Sequence, residues 1–405
     1  MSQGIFKMAN YGPNAFVVVE GKQADCFYIL RQGKVRLSVD MPIPGEEPSQ
    51  ILGPGDFFGV VSCMSGHPHF ETAETLSQVP VIVVGRDQFG TLIQKNAPIA
   101  MKIIRYFSLR LRTIDKAITK LSFHNVVEED PQLMFNTGEY YYQKQEYKHA
   151  AYCFQRYLQY FPNGGNAAVA KKNLVDMNSA LGPPQVQRNN LAAVFPDGNM
   201  IFVEHEPGQE LYIIQQGRVK ITKVVDQSEV LLAVLQPGDI FGEMSLLENK
   251  PRSASAVAHG NVTTLAINKA NFEVMVQAQP QLAVKLITLL SERIWTAYRQ
   301  LANLLISDPI GRIYDMLLTL VQKQKVPIQS KAAYTWDVSS KELSTMLGFE
   351  AAEGEKYLMQ LLDDKNFRLD GGKIITHDLK ELEKQVQFHR KRAAMERKRD
   401  SARNN

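Results

Sequence analysis

At 405 residues the chain is too long for one ordinary core, so two to four domains are expected. A hydrophobic fraction of 44% and a charged fraction of 22% are those of a soluble globular protein, and no apolar run reaches the roughly 18 residues that a membrane helix needs. The net charge of +4 is concentrated at the end, where seven Lys/Arg face two Asp/Glu from Gln387 onward, so the rest of the chain is essentially neutral. Cys26, Cys63 and Cys153 are odd in number and far apart, which argues against a disulfide scaffold or a clustered metal site and for a reducing compartment. The N-terminus has no hydrophobic signal core, and a cytoplasmic location is expected.

Residues 14–90 read as short strands, at Ala15–Glu20, Cys26–Leu30, Lys34–Val39, Gln50–Leu52 and Val79–Val84, with glycine turns between them. That spacing predicts an antiparallel β-roll of jelly-roll type. Residues 98–121 switch to helical period, with an apolar seam at Ile104, Phe107, Leu111, Ile114, Ile118 and Leu121.

Residues 131–178 are read as helical. Gly138, Tyr141, Tyr147, Ala150, Phe154, Leu158 and Pro162 fall at the spacings of one tetratricopeptide-like hairpin. Gly138 and Ala150 let the helices approach, Phe154 fills the groove, and Pro162 ends the second helix. One such repeat does not bury its faces alone, so the insert is expected to pack on its neighbours as a spacer; a protein partner on it is the alternative.

The first pattern returns about 183 residues later. Phe27-Tyr-Ile-Leu-Arg-Gln-Gly-Lys-Val-Arg matches Leu211-Tyr-Ile-Ile-Gln-Gln-Gly-Arg-Val-Lys, and Ile51-Leu-Gly-Pro-Gly-Asp-Phe-Phe-Gly matches Val234-Leu-Gln-Pro-Gly-Asp-Ile-Phe-Gly. Turn glycines and core positions recur together, so this is an internal duplication. The second copy carries Phe241-Gly-Glu-Met-Ser-Leu, a gap, then Pro251-Arg-Ser-Ala-Ser-Ala-Val. Gly242 frees the backbone for a tight turn, and the fork-shaped cation of Arg252 suits a phosphate. Glu243 repels a phosphate, so it needs another role, such as accepting sugar hydroxyls.

This stretch resembles the phosphate-binding cassette of cyclic nucleotide-binding domains. The resemblance implies that Glu243 takes the ribose 2′-hydroxyl and Arg252 pairs with the cyclic phosphate. Ser253 and the backbone amides of Met244 and Ala254 complete the anion site, on the turn that Gly242 and Ser245 form. The ligand is then cAMP or cGMP, with cAMP favoured by the family alone, and no metal is implied. In the first copy Val60 replaces Glu243, His69 replaces Arg252 and Phe70 replaces Ser253, so that copy is not expected to bind a cyclic nucleotide in the usual way.

Each copy ends in a helix. The second seam, Ile287, Leu290, Ile294, Ala297, Leu301 and Leu304, repeats the steps and register of the first, with coiled-coil spacing. In the bacterial catabolite-activator (CRP/FNR-type) family, which the chain resembles, this helix is the dimer interface. Two in one chain predict a pseudo-dimer, with a homodimer as the alternative. By the same resemblance Thr296 or Tyr298 is expected to bond the base in the second copy, with Trp295 or Tyr298 stacking on it.

From Ser307 the chain resembles the winged helix-turn-helix of that family. Ser339–Leu347 is expected to form the first helix, Glu350–Leu362 the recognition helix and Phe367–Ile375 a β-hairpin wing. Ser339, Lys341, Glu350, Glu353, Lys356 and Lys373 are the candidate DNA-facing residues. Glu350, Glu353 and Glu355 oppose the attraction behind DNA affinity, which is a departure from the family. The basic stretch 389–399 reads as a helix extension or a disordered tail.

The expected architecture is α+β and multidomain: a degenerate cyclic nucleotide-binding domain (1–125), the helical insert and linker (126–182), a second cyclic nucleotide-binding domain (183–306), a winged helix (307–385) and a basic tail (386–405). The expected function is a cyclic nucleotide-responsive transcriptional regulator that binds its ligand in the second domain. The alternative is a sensor that signals through protein contacts. No nucleophile–base pairing, Walker loop or metal-ligand spacing points to an enzyme.

Overall fold

The structure, a computed structural model, describes residues 6–123, 131–177, 187–189, 191–225, 228–248 and 250–403. The chain divides into two units, Met1–Phe89 with Ser291–Asn405, and Gly90–Leu290.

The first roll is built from β1 (Lys7–Tyr11), β2 (Phe16–Val18), β3 (Cys26–Leu30), β4 (Val35–Ser38), β5 (Ser49–Leu52), β6 (Phe57–Phe58), β7 (Thr72–Thr75) and β8 (Val79–Gly85), with α1 (Val60–Ser65) between β6 and β7. Two antiparallel sheets, β1-β8-β3-β6 and β2-β7-β4-β5, face each other. Alternation makes the core: Val35 and Leu37 point inward on β4 while Arg36 between them is exposed. Leu30, Leu52, Phe58, Ala73, Val79 and Val81 fill the space between the sheets.

The second unit begins at Gly90 within α2 (Phe89–Lys95) and continues with α3 (Ala97–Phe123) and the insert helices α4 (Pro131–Gln143), α5 (Tyr147–Tyr160) and α6 (Ala167–Met177). A Cβ on Gly138 would lie 2.7 Å from the Phe154 ring, so the glycine sets how closely α4 meets α5. The insert packs on the second roll. It shares an apolar core with Met200, Val203 and Val257, Tyr152 donates to the Ile201 carbonyl (2.9 Å), and Tyr141 donates to Glu229 (2.8 Å).

The second roll comprises β9 (Gln187–Asn189), β10 (Ala192–Phe195), β11 (Met200–Phe202), β12 (Glu210–Val225), β13 (Ser228–Leu235), β14 (Ile240–Phe241) and β15 (Ser255–Asn268), with α7 (Glu243–Glu248) between β14 and β15. Here long strands run through where the first roll breaks: β12 covers the stretch equivalent to β3 and β4. The sheet order is β13-β12-β15-β10-β9, with β11 on β15 and β14 on β12. Next come α8 (Lys269–Ala278) and α9 (Pro280–Leu304), which passes from the second unit into the first at Ser291.

The remainder of the first unit is α10 (Pro309–Lys323), β16 (Tyr334–Ser339), α11 (Ser340–Leu347), α12 (Ala351–Leu362), β17 (Phe367–Asp370), β18 (Lys373–Thr376) and α13 (Leu379–Arg403). Asp308 caps α10 by accepting from Gly311 N (2.9 Å), with Pro309 in the first turn. A core of Leu317, Val321, Trp336, Leu343, Leu361, Phe367, Ile374 and Leu382 joins these elements. No break falls at residue 386, because α13 is one helix. Its Ala393 is buried with Met41, Ala302 and Ile306, and Arg390 pairs with the fully buried Asp315, so the basic stretch lies on a packed helix.

Candidate functional site

Gly242 adopts φ 75° and turns β14 sharply into α7, which places Glu243 at the start of that helix, 1% exposed. Met244 and Ser245 are buried beside it. Arg252 reaches the same turn from across the roll and is 4% exposed. Its guanidinium donates to the Gly242 carbonyl (2.6 Å), to Ser245 Oγ (2.6 Å) and to the Glu210 carbonyl (2.7 Å), and it lies 4.1 Å from the centre of the Phe202 ring. Burial lowers its pKa, against the opposing pull of Tyr212, Glu206, Tyr152 and Glu243. Among the described residues its Nε has no hydrogen-bond partner. Ser253 Oγ approaches Met244 Sδ at 3.9 Å, and Ala254 is buried behind it. The structure therefore brings Gly242, Glu243, Met244, Ser245, Arg252, Ser253 and Ala254 to one turn.

Two glycines make room for this guanidinium. A Cβ on Gly242 would lie 2.5 Å from Arg252 Nη1. One on Gly208 would lie 2.0 Å from Ser245 Oγ and 2.7 Å from Arg252 Cζ. Beside the turn lies a cleft of about 40 Å³, lined by Arg112, Asp115 and Lys116 of α3 and by Glu204, His205, Lys223, Pro251, Arg252 and Ser253. Arg112 donates to the Pro251 carbonyl at 3.1 Å.

The first roll keeps the scaffold and loses the chemistry. Gly59 makes the same left-handed turn (φ 78°), but Val60 follows it, buried. His69 stands in the place of Arg252, and burial holds its pKa down at about 4, so it is neutral at pH 7. Glu71, in the place of Ala254, accepts from Gly59 N at 2.8 Å, so the protein supplies its own carboxylate to an amide of this turn. Trp295 stacks on His67 with ring centres 4.0 Å apart and donates to the Pro68 carbonyl (3.2 Å). Tyr298 lies against Phe70 at 4.5 Å and donates to the Met41 carbonyl (2.9 Å).

These contacts correct an expectation. Trp295 and Tyr298 were expected over a base in the second roll, yet both pack on the first; Thr296, half-buried on the same turn of α9, belongs to the same unit. The physical reason is an exchange of helices. The first roll's cassette is covered by α9, which follows the second roll, and the second roll's cassette is covered by α3, which follows the first. The repeat offset makes the two contacts equivalent: Arg112 and Trp295 are 183 residues apart, as are Pro251 and Pro68. Sequence reasoning missed Arg112, although that same offset makes it the repeat counterpart of Trp295.

A profile of the cyclic nucleotide-binding domain matches residues 8–96 and 193–279. Over 189 residues the chain is 30% identical to a CRP-like cAMP-activated global transcriptional regulator of Mycobacterium tuberculosis, a match that takes in 46% of this chain and 84% of that protein. The chain belongs to the CRP-like regulator family. A cyclic AMP receptor protein of Thermus thermophilus is 29% identical over 191 residues, 47% of this chain and 85% of that protein. The crystal structure of the Thermus thermophilus catabolite activator protein aligns with 50% of this chain and 90% of its own at 28% identity and a TM-score of 0.29. This CRP-like chain thus carries two cyclic nucleotide-binding domains, and the relatives matched cover about half of it.

In the C-terminal region of this CRP-like chain, Ser339 and Glu342 form a capping box on α11: Ser339 N donates to Glu342 Oε2 (2.8 Å) and Glu342 N to Ser339 Oγ (3.3 Å). Lys373 pairs with Asp337 at 2.7 Å. Lys341, Glu350, Glu353 and Lys356 are exposed. Gly354, which sequence alone marks as a weak point of α12, is buried where a Cβ would lie 2.2 Å from Ser344 Oγ; it sets the close approach of α11 and α12.

Proposed function

We propose that the chain is a cAMP-responsive regulator that binds one cyclic nucleotide, in the second roll. Arg252 holds the cyclic phosphate, with Ser253 and the amides of Met244 and Ala254, while Glu243 takes the ribose hydroxyls. The observation that carries this reading is the burial of both Glu243 and Arg252 at the Gly242 turn, set against Val60, His69 and an aromatic plug at the matching places of the first roll. The names of the relatives support cAMP over cGMP. A cleft of about 40 Å³ is far below the roughly 300 Å³ of a small-ligand pocket, so entry requires the cassette and α3 to part. Binding then favours the parted state by its differential affinity. The exchanged helices support one chain acting as a pseudo-dimer, with the two rolls in the roles of two subunits.

The elements α11, α12 and the β17–β18 hairpin support a winged helix-turn-helix, and the α4–α5 hairpin supports a tetratricopeptide-like insert. The names of the relatives, a transcriptional regulator among them, support an output through DNA. A second reading, signalling through protein contacts, is favoured by the acidic, exposed start of α12 at Glu350, Glu353 and Glu355. Calorimetry with cAMP and cGMP tests the sensing claim. Titration of duplex DNA with and without cAMP separates the two outputs: sequence-selective binding supports the first, and none in either state supports the second.

A further inference from the structure

The insert helix α5 reaches the back of the turn that holds Arg252. Glu206 lies between them. It is 4% exposed, and its Oε2 is 3.7 Å from Arg156 Nε of α5 and accepts from Val203 N at 3.2 Å. Its carbonyl accepts from Arg252 N at 2.9 Å, while the Arg252 carbonyl accepts from His205 N at 2.9 Å. Arg252 is thus pinned at both backbone groups to residues 205–206, next to the bridge between Pro207 and Pro251. Arg156 is itself fixed, since it donates to Tyr152 Oη (3.1 Å) and lies over that ring at 5.1 Å. Tyr152 in turn donates to the Ile201 carbonyl on β11. A carboxylate this deeply buried needs a cation to keep its place. Arg156 is the cation that comes from outside the roll.

We propose that Arg156 and Glu206 are positioning residues for the nucleotide site, so that the helical insert sets the affinity of the second roll for its ligand. Removal of the Arg156 charge frees the 205–206 segment, and Arg252 loses its fixed place at the Gly242 turn. By reciprocity the bound ligand tightens α5, and a partner whose hold on the insert is changed by the ligand changes ligand affinity by the same factor. The inference rests on the reading of Arg252 as the phosphate-holding residue.

The test is calorimetry with cAMP on the full chain and its variants. Arg156→Met is expected to weaken binding about tenfold, a difference of about 1.4 kcal/mol. Glu206→Gln is expected to weaken it comparably, and the double variant no more than the worse single one, since both act through one contact. Tyr141→Phe, which removes a bond from the insert to Glu229 and not to the 205–206 segment, is expected to stay within about twofold of wild type. In the wild-type chain, cAMP is expected to slow amide exchange across Tyr147–Tyr160. Arg156→Met binding as tightly as wild type, additive single effects, an equal loss in Tyr141→Phe, or exchange that ignores cAMP would each overturn the proposal. A wild-type chain that binds no cyclic nucleotide would overturn the site reading itself and this inference with it.

Discussion

The two rolls share one scaffold and differ in how each treats the same turn. In the second, Gly242 is followed by Glu243, and the turn is held by the Arg252 guanidinium. In the first, Gly59 is followed by Val60, and the turn amide is already bonded to Glu71. The covering helix differs in the same sense. At positions 183 residues apart, α3 offers Arg112, Asp115 and Lys116, and α9 offers Trp295, Tyr298 and Arg299. Charged side chains leave a cleft on one roll, whereas two aromatic rings fill its counterpart on the other. A duplicated fold can thus leave a cleft at the turn of one copy and fill the matching place in the other, with the side chains of one turn and one helix making the difference there.

The sharpest way to break this comparison is to unplug the first roll. Trp295→Ala removes a 1% exposed indole and should cost about 3–5 kcal/mol of stability in thermal or urea unfolding. It should leave cAMP affinity within about threefold, because the indole packs on the other roll. Next in size, Arg252→Ala should weaken cAMP binding by at least about a hundredfold, through loss of a charge-assisted contact worth about 3 kcal/mol. His69→Ala should leave it unchanged. A loss in His69→Ala as large as in Arg252→Ala would make the rolls equivalent and sink the contrast.

Gly208 sharpens it further. The first roll has buried Ala24 at the matching position, where no guanidinium needs the space. Gly208→Ala should displace Arg252 and weaken binding on the order of tenfold or more, read by calorimetry, since the added Cβ meets buried atoms that have little room to shift. A separate effect is in pH dependence. His69 titrates near 4 when folded and near 6.5 when unfolded, so the unfolded chain takes up the proton first as pH falls. Stability should therefore be intact above pH 6.5 and fall between 6.5 and 4, by at most about 3 kcal/mol. His69→Gln should flatten that part of the melting-temperature profile; an unchanged profile would remove the buried neutral imidazole from the account.

Much of this was legible in the residues. The repeat of Leu-X-Pro-Gly-Asp and of the turn glycines located both rolls, and Glu243 and Arg252 stood out because their first-copy counterparts are Val60 and His69. The spacing of Gly138 and Phe154 foretold the close contact that α4 and α5 make. What local pattern does not carry is partner choice. The strand at Lys7–Tyr11 lacks clean alternation, being mostly exposed, and pairs only because β8 is there. A helix seam tells that a helix is buried but not which roll buries it, so Trp295 and Tyr298 were assigned to the wrong one. The same blindness hid Glu206, an unremarkable acid until α5 folds back onto it.

The most direct measurement is the calorimetric stoichiometry of cAMP on the full chain, beside Arg252→Ala. The account predicts one molecule bound per chain in the wild type and none in the variant. Two bound per chain, or one that survives Arg252→Ala, would contradict it.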